Sequence, residues 1–98
     1  MIKVVRDNDL ITVSGHAGNA EYGKDIVCAS VSSIIYTTIN AIASFDKSYI
    51  DVTDDGKVMV IKIKKEDEIV LKLIANMFEM LKSVANDYPK NLSVKENE

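Results

Sequence analysis

The sequence predicts an α+β fold in which a small single-layer sheet of two β-hairpins has two helices packed against it. Three observations support this prediction. Two pairs of short β-branched runs flank clusters of turn-forming residues, an uncharged run of helical length separates the pairs, and a segment with apolar residues three and four positions apart follows the second pair. The predicted element order is therefore ββαββα.

The first hairpin lies at the start of the chain. Residues 1–5 and 10–13 are β-branched runs, and Asp7, Asn8 and Asp9 between them are turn formers. The next stretch, residues 14–24, contains three glycines and almost no apolar periodicity. We therefore expect a loop there.

The first helix is predicted to begin near Ile26, with Asp25 as its N-cap. A carboxylate at this position accepts a hydrogen bond from a backbone N–H of the first helical turn. No charge interrupts residues 26–45, which is about the length of a membrane span. Seven Ser, Thr and Asn side chains in this run disfavour a lone span, so we expect a buried helix and no membrane partner.

The second hairpin is predicted around Asp54-Asp55-Gly56. An Asp-Gly pair between two β-branched runs is a strong hairpin signal, and residues 57–64 alternate between apolar and Lys side chains. This alternation is typical of a strand with one solvated face.

The second helix is predicted over residues 66–87. Its apolar side chains recur at three and four positions, and Pro89 ends it. Residues 92–94 can add a short last strand, and we expect the tail, residues 95–98, to be disordered.

Length and composition indicate one soluble domain, residues 1–98. The net charge of −3 provides no basic field, so direct nucleic-acid binding is not expected. One cysteine excludes an intramolecular disulfide and favours a reducing compartment, and the N-terminus has no apolar signal segment. We therefore expect a cytoplasmic protein.

The chain has one His and one Cys, His16 and Cys28, on either side of the glycine-rich loop. A thiol is a good nucleophile only as the thiolate, which both a helix N-terminus and an imidazole stabilise. His16 would also protonate a leaving amine. The backbone N–H groups of Cys28 and Ala29 would stabilise an oxyanion, and Ser32, one turn further on, would support the sulfur.

Other interpretations of these residues stay open. A lone Cys among apolar neighbours is often a buried core residue, and a lone His in a loop is often an exposed polar residue. One His and one Cys fall short of the usual zinc ligand set, and the glycines match no phosphate-binding motif, so we expect neither a metal nor a cofactor. Asp25 either caps the helix or orients His16.

Three short motifs resemble the signature of the ribosomal-processing cysteine protease Prp family. They are GHA from Gly15, EYG from Glu21 and DIVCA from Asp25, with Ser32 following. The resemblance implies a cytoplasmic homodimer that removes the N-terminal extension of large-subunit ribosomal protein twenty-seven, cutting after an aromatic residue, as ribosome maturation requires.

By position, the resemblance assigns the nucleophile to Cys28, the general base to His16 and supporting polar roles to Asp25 and Ser32. It also implies that the loop over residues 18–24 moves to admit substrate, and it assigns substrate-loop roles to Gly15, Gly18, Glu21, Tyr22 and Gly23. Two alternatives remain: a non-catalytic ribosome-associated interaction module, and a small enzyme that transfers acyl groups from another amide or thioester.

Overall fold

A computed structural model describes residues 1–15 and 22–97. For residues 22–25, only the backbone is described. The described elements are β1 (Ile2–Asp7), β2 (Leu10–Ser14), α1 (Tyr22–Phe45), β3 (Ile50–Asp54), β4 (Val58–Ile63), α2 (Glu68–Asp87) and β5 (Leu92–Asn97). The predicted α+β class and the order of strands and helices are confirmed.

Both predicted hairpins form, and they join into one five-stranded sheet with the order β3-β4-β2-β1-β5. The join is an antiparallel pairing of β2 with β4, in which Ile11 lies opposite Ile61. β5 adds to the other edge of the sheet, parallel to β1. The end of β2 therefore lies beside the turn that joins β3 to β4.

One face of the sheet forms the core with the two helices. Alternate strand residues such as Val4, Ile11 and Ile61 are fully buried, as the period of two along a strand requires. From α2 the apolar face buries Val70, Ile74, Met77, Phe78 and Leu81, and from α1 the buried residues include Val27, Val31, Ile35 and Ile42.

Helix α1 begins four residues before the predicted start. It runs from Tyr22, so Asp25 lies within its first turn and is not its N-cap. The glycine-rich composition of residues 14–24 favours a loop locally, but the helix extends through Gly23 and Lys24.

The prediction that α1 is buried holds for one of its faces only. By length and composition Ile26–Phe45 is the one helix among the described residues that could cross a membrane, and 28 % of it is buried. Val27, Val31, Ile35 and Ile42 lie in the core, whereas Ile26 and Phe45 are exposed. The same helix thus has a core face and an uncharged outer face.

The predicted disorder of the tail is wrong for residues 95–97. They belong to β5, in which Lys95, Glu96 and Asn97 pair with Val5, Arg6 and Asp7 of β1. The Lys82 Nζ–Glu96 Oε2 ion pair, at 2.6 Å, also joins this end of the strand to α2. Glu98 lies outside the described residues.

Candidate active site

Cys28 lies on α1 at the edge of the hydrophobic core. Its side chain is half-buried and packs against the core, between the fully buried Val27 and the exposed Ala29. It is therefore neither sealed in the interior nor placed freely on the surface.

The position of Cys28 along α1 corrects one part of the predicted mechanism. Cys28 and Ala29 are the seventh and eighth residues of a helix that starts at Tyr22. Only the first four N–H groups of an α-helix lack an intrahelical acceptor, and the effect of the macrodipole fades within the first turn. The predicted oxyanion donation by the N–H groups of Cys28 and Ala29, and activation by the helix start, therefore do not fit this helix.

Several predicted site residues lie wholly or partly outside the described structure. His16, Gly18 and Glu21 are outside the described residues. Tyr22, Gly23 and Asp25 lie in the first turn of α1, where the backbone alone is described. The role of His16 and the orienting role of Asp25 stay predictions.

A cleft of about 190 Å³ opens along α1 about one turn beyond Cys28, which lies on the same helix face but is not among the described residues that line the cleft. The α1 residues lining it follow Cys28 by three, four, seven and eight positions, the spacing of one helix face. They are Val31, Ser32, Ile35 and Tyr36. Ser32, predicted to support the sulfur, is thus exposed on the wall of the cleft one turn beyond Cys28.

The wall opposite α1 comes from the sheet. Val13 and Gly15 at the end of β2, together with Met59 of β4 and the β3–β4 turn, complete the lining. Gly15 directly precedes His16 in the chain. The cleft is therefore bordered by Gly15, which precedes the predicted base His16 in the sequence. It is also bordered by the face of α1 that carries the predicted nucleophile Cys28.

Gly15 has a backbone that only glycine adopts easily. Its φ is +81°, and a Cβ built on it would lie 2.2 Å from the carbonyl oxygen of Met1. Any larger residue would need both a left-handed backbone and a shift of Met1, which directly precedes β1. The chain thus leaves β2 toward His16 along a path that requires glycine.

A hydrogen bond crosses the cleft at its far end. The Tyr36 hydroxyl donates to Asp54 Oδ2 at 3.2 Å. Desolvation raises the pKa of Tyr36, and the hydrogen bond and negative charge of Asp54 raise it further, so the phenol remains a neutral donor. Sequence reasoning missed both residues. The spacing of Tyr36 eight positions after Cys28 was an available signal, whereas Asp54 shows only as a turn former.

Metal ligands do not cluster in the described part of the chain. No group of three or more His, Cys, Asp or Glu side chains is placed there to hold a metal ion.

The family model for cysteine protease Prp matches residues 1–93. The chain belongs to the cysteine protease Prp family. It is therefore a cysteine protease, and the alternative of a non-catalytic interaction module is not carried further.

Relatives of the Prp family match along nearly the full chain. The ribosomal processing cysteine protease Prp of Mycoplasma genitalium is 35 % identical, and the match covers 98 % of this chain and 96 % of the relative. The protein of the same name from Bacillus subtilis is 32 % identical, with 87 % and 82 % covered.

A solved structure shows the same fold. The crystal structure of an essential ribosomal processing protease Prp from S. aureus, in complex with a covalently linked product peptide, superimposes with a TM-score of 0.81. The match covers 98 % of this chain and 97 % of that chain at 23 % identity.

Proposed function

We propose that this protease removes the N-terminal extension from the precursor of large-subunit ribosomal protein twenty-seven, cutting after an aromatic residue, as a step in ribosome maturation in the cytoplasm. The relatives in Mycoplasma genitalium and Bacillus subtilis are named ribosomal processing proteases. The observation that carries the proposal is the cleft, which opens on the helix face of Cys28 and is bordered by the neighbour of His16.

The proposed chemistry has two halves. The Cys28 thiolate adds to the scissile carbonyl, the C–N bond breaks, and imidazolium His16 gives its proton to the departing amine, which leaves a thioester. Neutral His16 then takes a proton from water as the water oxygen attacks the thioester. The C–S bond breaks, which releases a carboxylic acid that gives its proton to the solvent and regenerates the Cys28 thiolate and the His16 imidazolium.

The lining of the cleft supports an aromatic side chain before the scissile bond. Val31, Ile35 and Met59 are at most 9 % exposed and form an apolar floor. A methionine sulfur also makes favourable contacts with aromatic rings. Ser32 lies at the rim, where its hydroxyl would hydrogen-bond the sulfur or the substrate backbone.

The test is cleavage of a synthetic peptide with one aromatic residue before the scissile bond, followed by mass spectrometry. Cys28→Ala is expected to abolish cleavage while circular dichroism and thermal unfolding stay like those of the unsubstituted protein, because the side chain is only half-buried. Cleavage retained by Cys28→Ala would exclude this nucleophile. A matched peptide with Ala at the aromatic position is expected to be cut poorly.

The same proposal includes a homodimer, since the outer face of α1 is uncharged. Residues 26–45 contain no charged side chain, yet Ile26 and Phe45 are exposed. Such a face is unusual for a helix that meets only water. Light scattering is expected to give the mass of two chains, and the mass of one chain at all concentrations would contradict the dimer.

A further inference from the structure

Tyr36 lies on the cleft face of α1, two turns beyond Cys28. Eight residues of α-helix span about 12 Å along the axis. Helical side chains lean toward the N-terminus, so the Tyr36 ring covers the turn before its own Cα, back toward Ser32. Among the α1 residues that line the cleft, Tyr36 is the one farthest along the helix from Cys28.

The partner of Tyr36 is itself fixed in place. Asp54 Oδ1 accepts a hydrogen bond from the Gly56 backbone N–H at 2.9 Å, while Asp54 Oδ2 accepts the one from Tyr36. The next residue, Asp55, accepts from the backbone N–H groups of Lys57 and Val58, both at 2.8 Å. The turn thus holds the Asp54 carboxylate, and the carboxylate holds the ring.

The Tyr36 ring is attached weakly enough to be replaced without loss of the fold. Tyr36 is 46 % exposed, and it does not belong to the buried core. An exposed hydrogen bond of this kind contributes little to the free energy of unfolding. The contact therefore shapes the cleft far more than it stabilises the protein.

Resting on the proposed function, we propose that the Tyr36 ring, held by Asp54, closes the end of the cleft away from Cys28 and sets the length of the substrate side chain that precedes the scissile bond. Tyr36 and Asp54 are then specificity-determining residues. The wall that they form admits a single aromatic ring and rejects longer side chains.

The experiment compares kcat/KM for two peptides that differ only before the scissile bond, one with Phe and one with the longer biphenylalanine. The unsubstituted protein is expected to prefer Phe. Tyr36→Ala is expected to raise the ratio of kcat/KM for the biphenylalanine peptide to kcat/KM for the Phe peptide by about tenfold or more. This is the size of effect that a reshaped apolar pocket produces. Asp54→Ala, which frees the ring without removing it, is expected to shift the ratio in the same direction by less.

Tyr88→Ala is the matched control, because Tyr88 is an exposed tyrosine outside the cleft. Its ratio is expected to equal that of the unsubstituted protein. If the Phe peptide is cut but Tyr36→Ala and Asp54→Ala leave the ratio unchanged, the specificity role is overturned and the proposed function stands. If the unsubstituted protein cuts neither peptide, the proposed function fails, and the specificity role fails with it.

Discussion

Single residues fix the approach of the chain to the cleft, and Gly15 is the clearest case. Gly15 and Gly56 both have left-handed backbones, with φ of +81° and +86°. They differ in their surroundings, because a Cβ at Gly56 would meet nothing within 4 Å, whereas one at Gly15 would meet the Met1 carbonyl oxygen at 2.2 Å. Substitution of Gly56 therefore tests backbone strain alone, whereas substitution of Gly15 tests backbone strain together with steric overlap.

We expect Gly56→Ala to lower the free energy of unfolding by about 1 kcal/mol, the cost of a left-handed alanine. Gly15→Ala adds a backbone overlap to the same strain, so we expect it to lower the free energy of unfolding by roughly 3 kcal/mol. Urea unfolding of both variants measures the difference. Equal losses would show that the close approach to Met1 is relieved at no cost.

Residue-level prediction of the site was only partly successful, for a physical reason. The sequence supplies Cys28 and the spacing that places Ser32 on the same helix face. It does not show that Asp54, eighteen positions after Tyr36, lies across the cleft from it. That contact depends on how the β3–β4 hairpin is placed against α1, which no local pattern encodes.

The β3–β4 turn is the element that shapes the far wall of the cleft. Hydrogen bonds from the backbone N–H groups of Val58 and Lys57 lower the pKa of Asp55 below its ordinary value of 3.8. A carboxyl whose pKa is lower in the folded state adds stability above its unfolded pKa, and this stability is lost as the pH falls through the folded value. Acid is therefore expected to loosen the turn.

Asp55→Asn tests this, because the amide oxygen still accepts the two hydrogen bonds but carries no charge. We expect the protein to unfold at a higher temperature than Asp55→Asn near neutral pH, with the difference closing as the pH falls below 3.8. Thermal unfolding across this range measures the gap. A difference in melting temperature that stays the same at every pH would contradict the role of Asp55.

Elements whose signals are local were predicted well. The Asp-Gly turn and the spacing of apolar residues in α2 are encoded within a few positions. The start of α1 and the length of β5 were predicted wrongly. β5 extends to Asn97 because it pairs with β1 at the opposite end of the chain, and the tail sequence itself does not show this pairing.

At the scale of the whole molecule, the sheet order brings the site together. Pairing of β2 with β4 sets the end of β2 beside the β3–β4 hairpin, and α1 lies across both at the cleft. Gly15 thus lies near the helix face of Cys28. This arrangement supports the proposed contact between His16 and Cys28, which neither residue type nor spacing establishes.

The most direct test of that pair is the rate at which iodoacetamide alkylates Cys28 across a range of pH, in the protein and in His16→Ala with its fold verified by circular dichroism. We expect alkylation of the unsubstituted protein near neutral pH to be faster by about tenfold or more, because imidazolium stabilises the thiolate. The two rates should converge at alkaline pH, where both thiols ionise. Equal rates at every pH would contradict the Cys28–His16 pair.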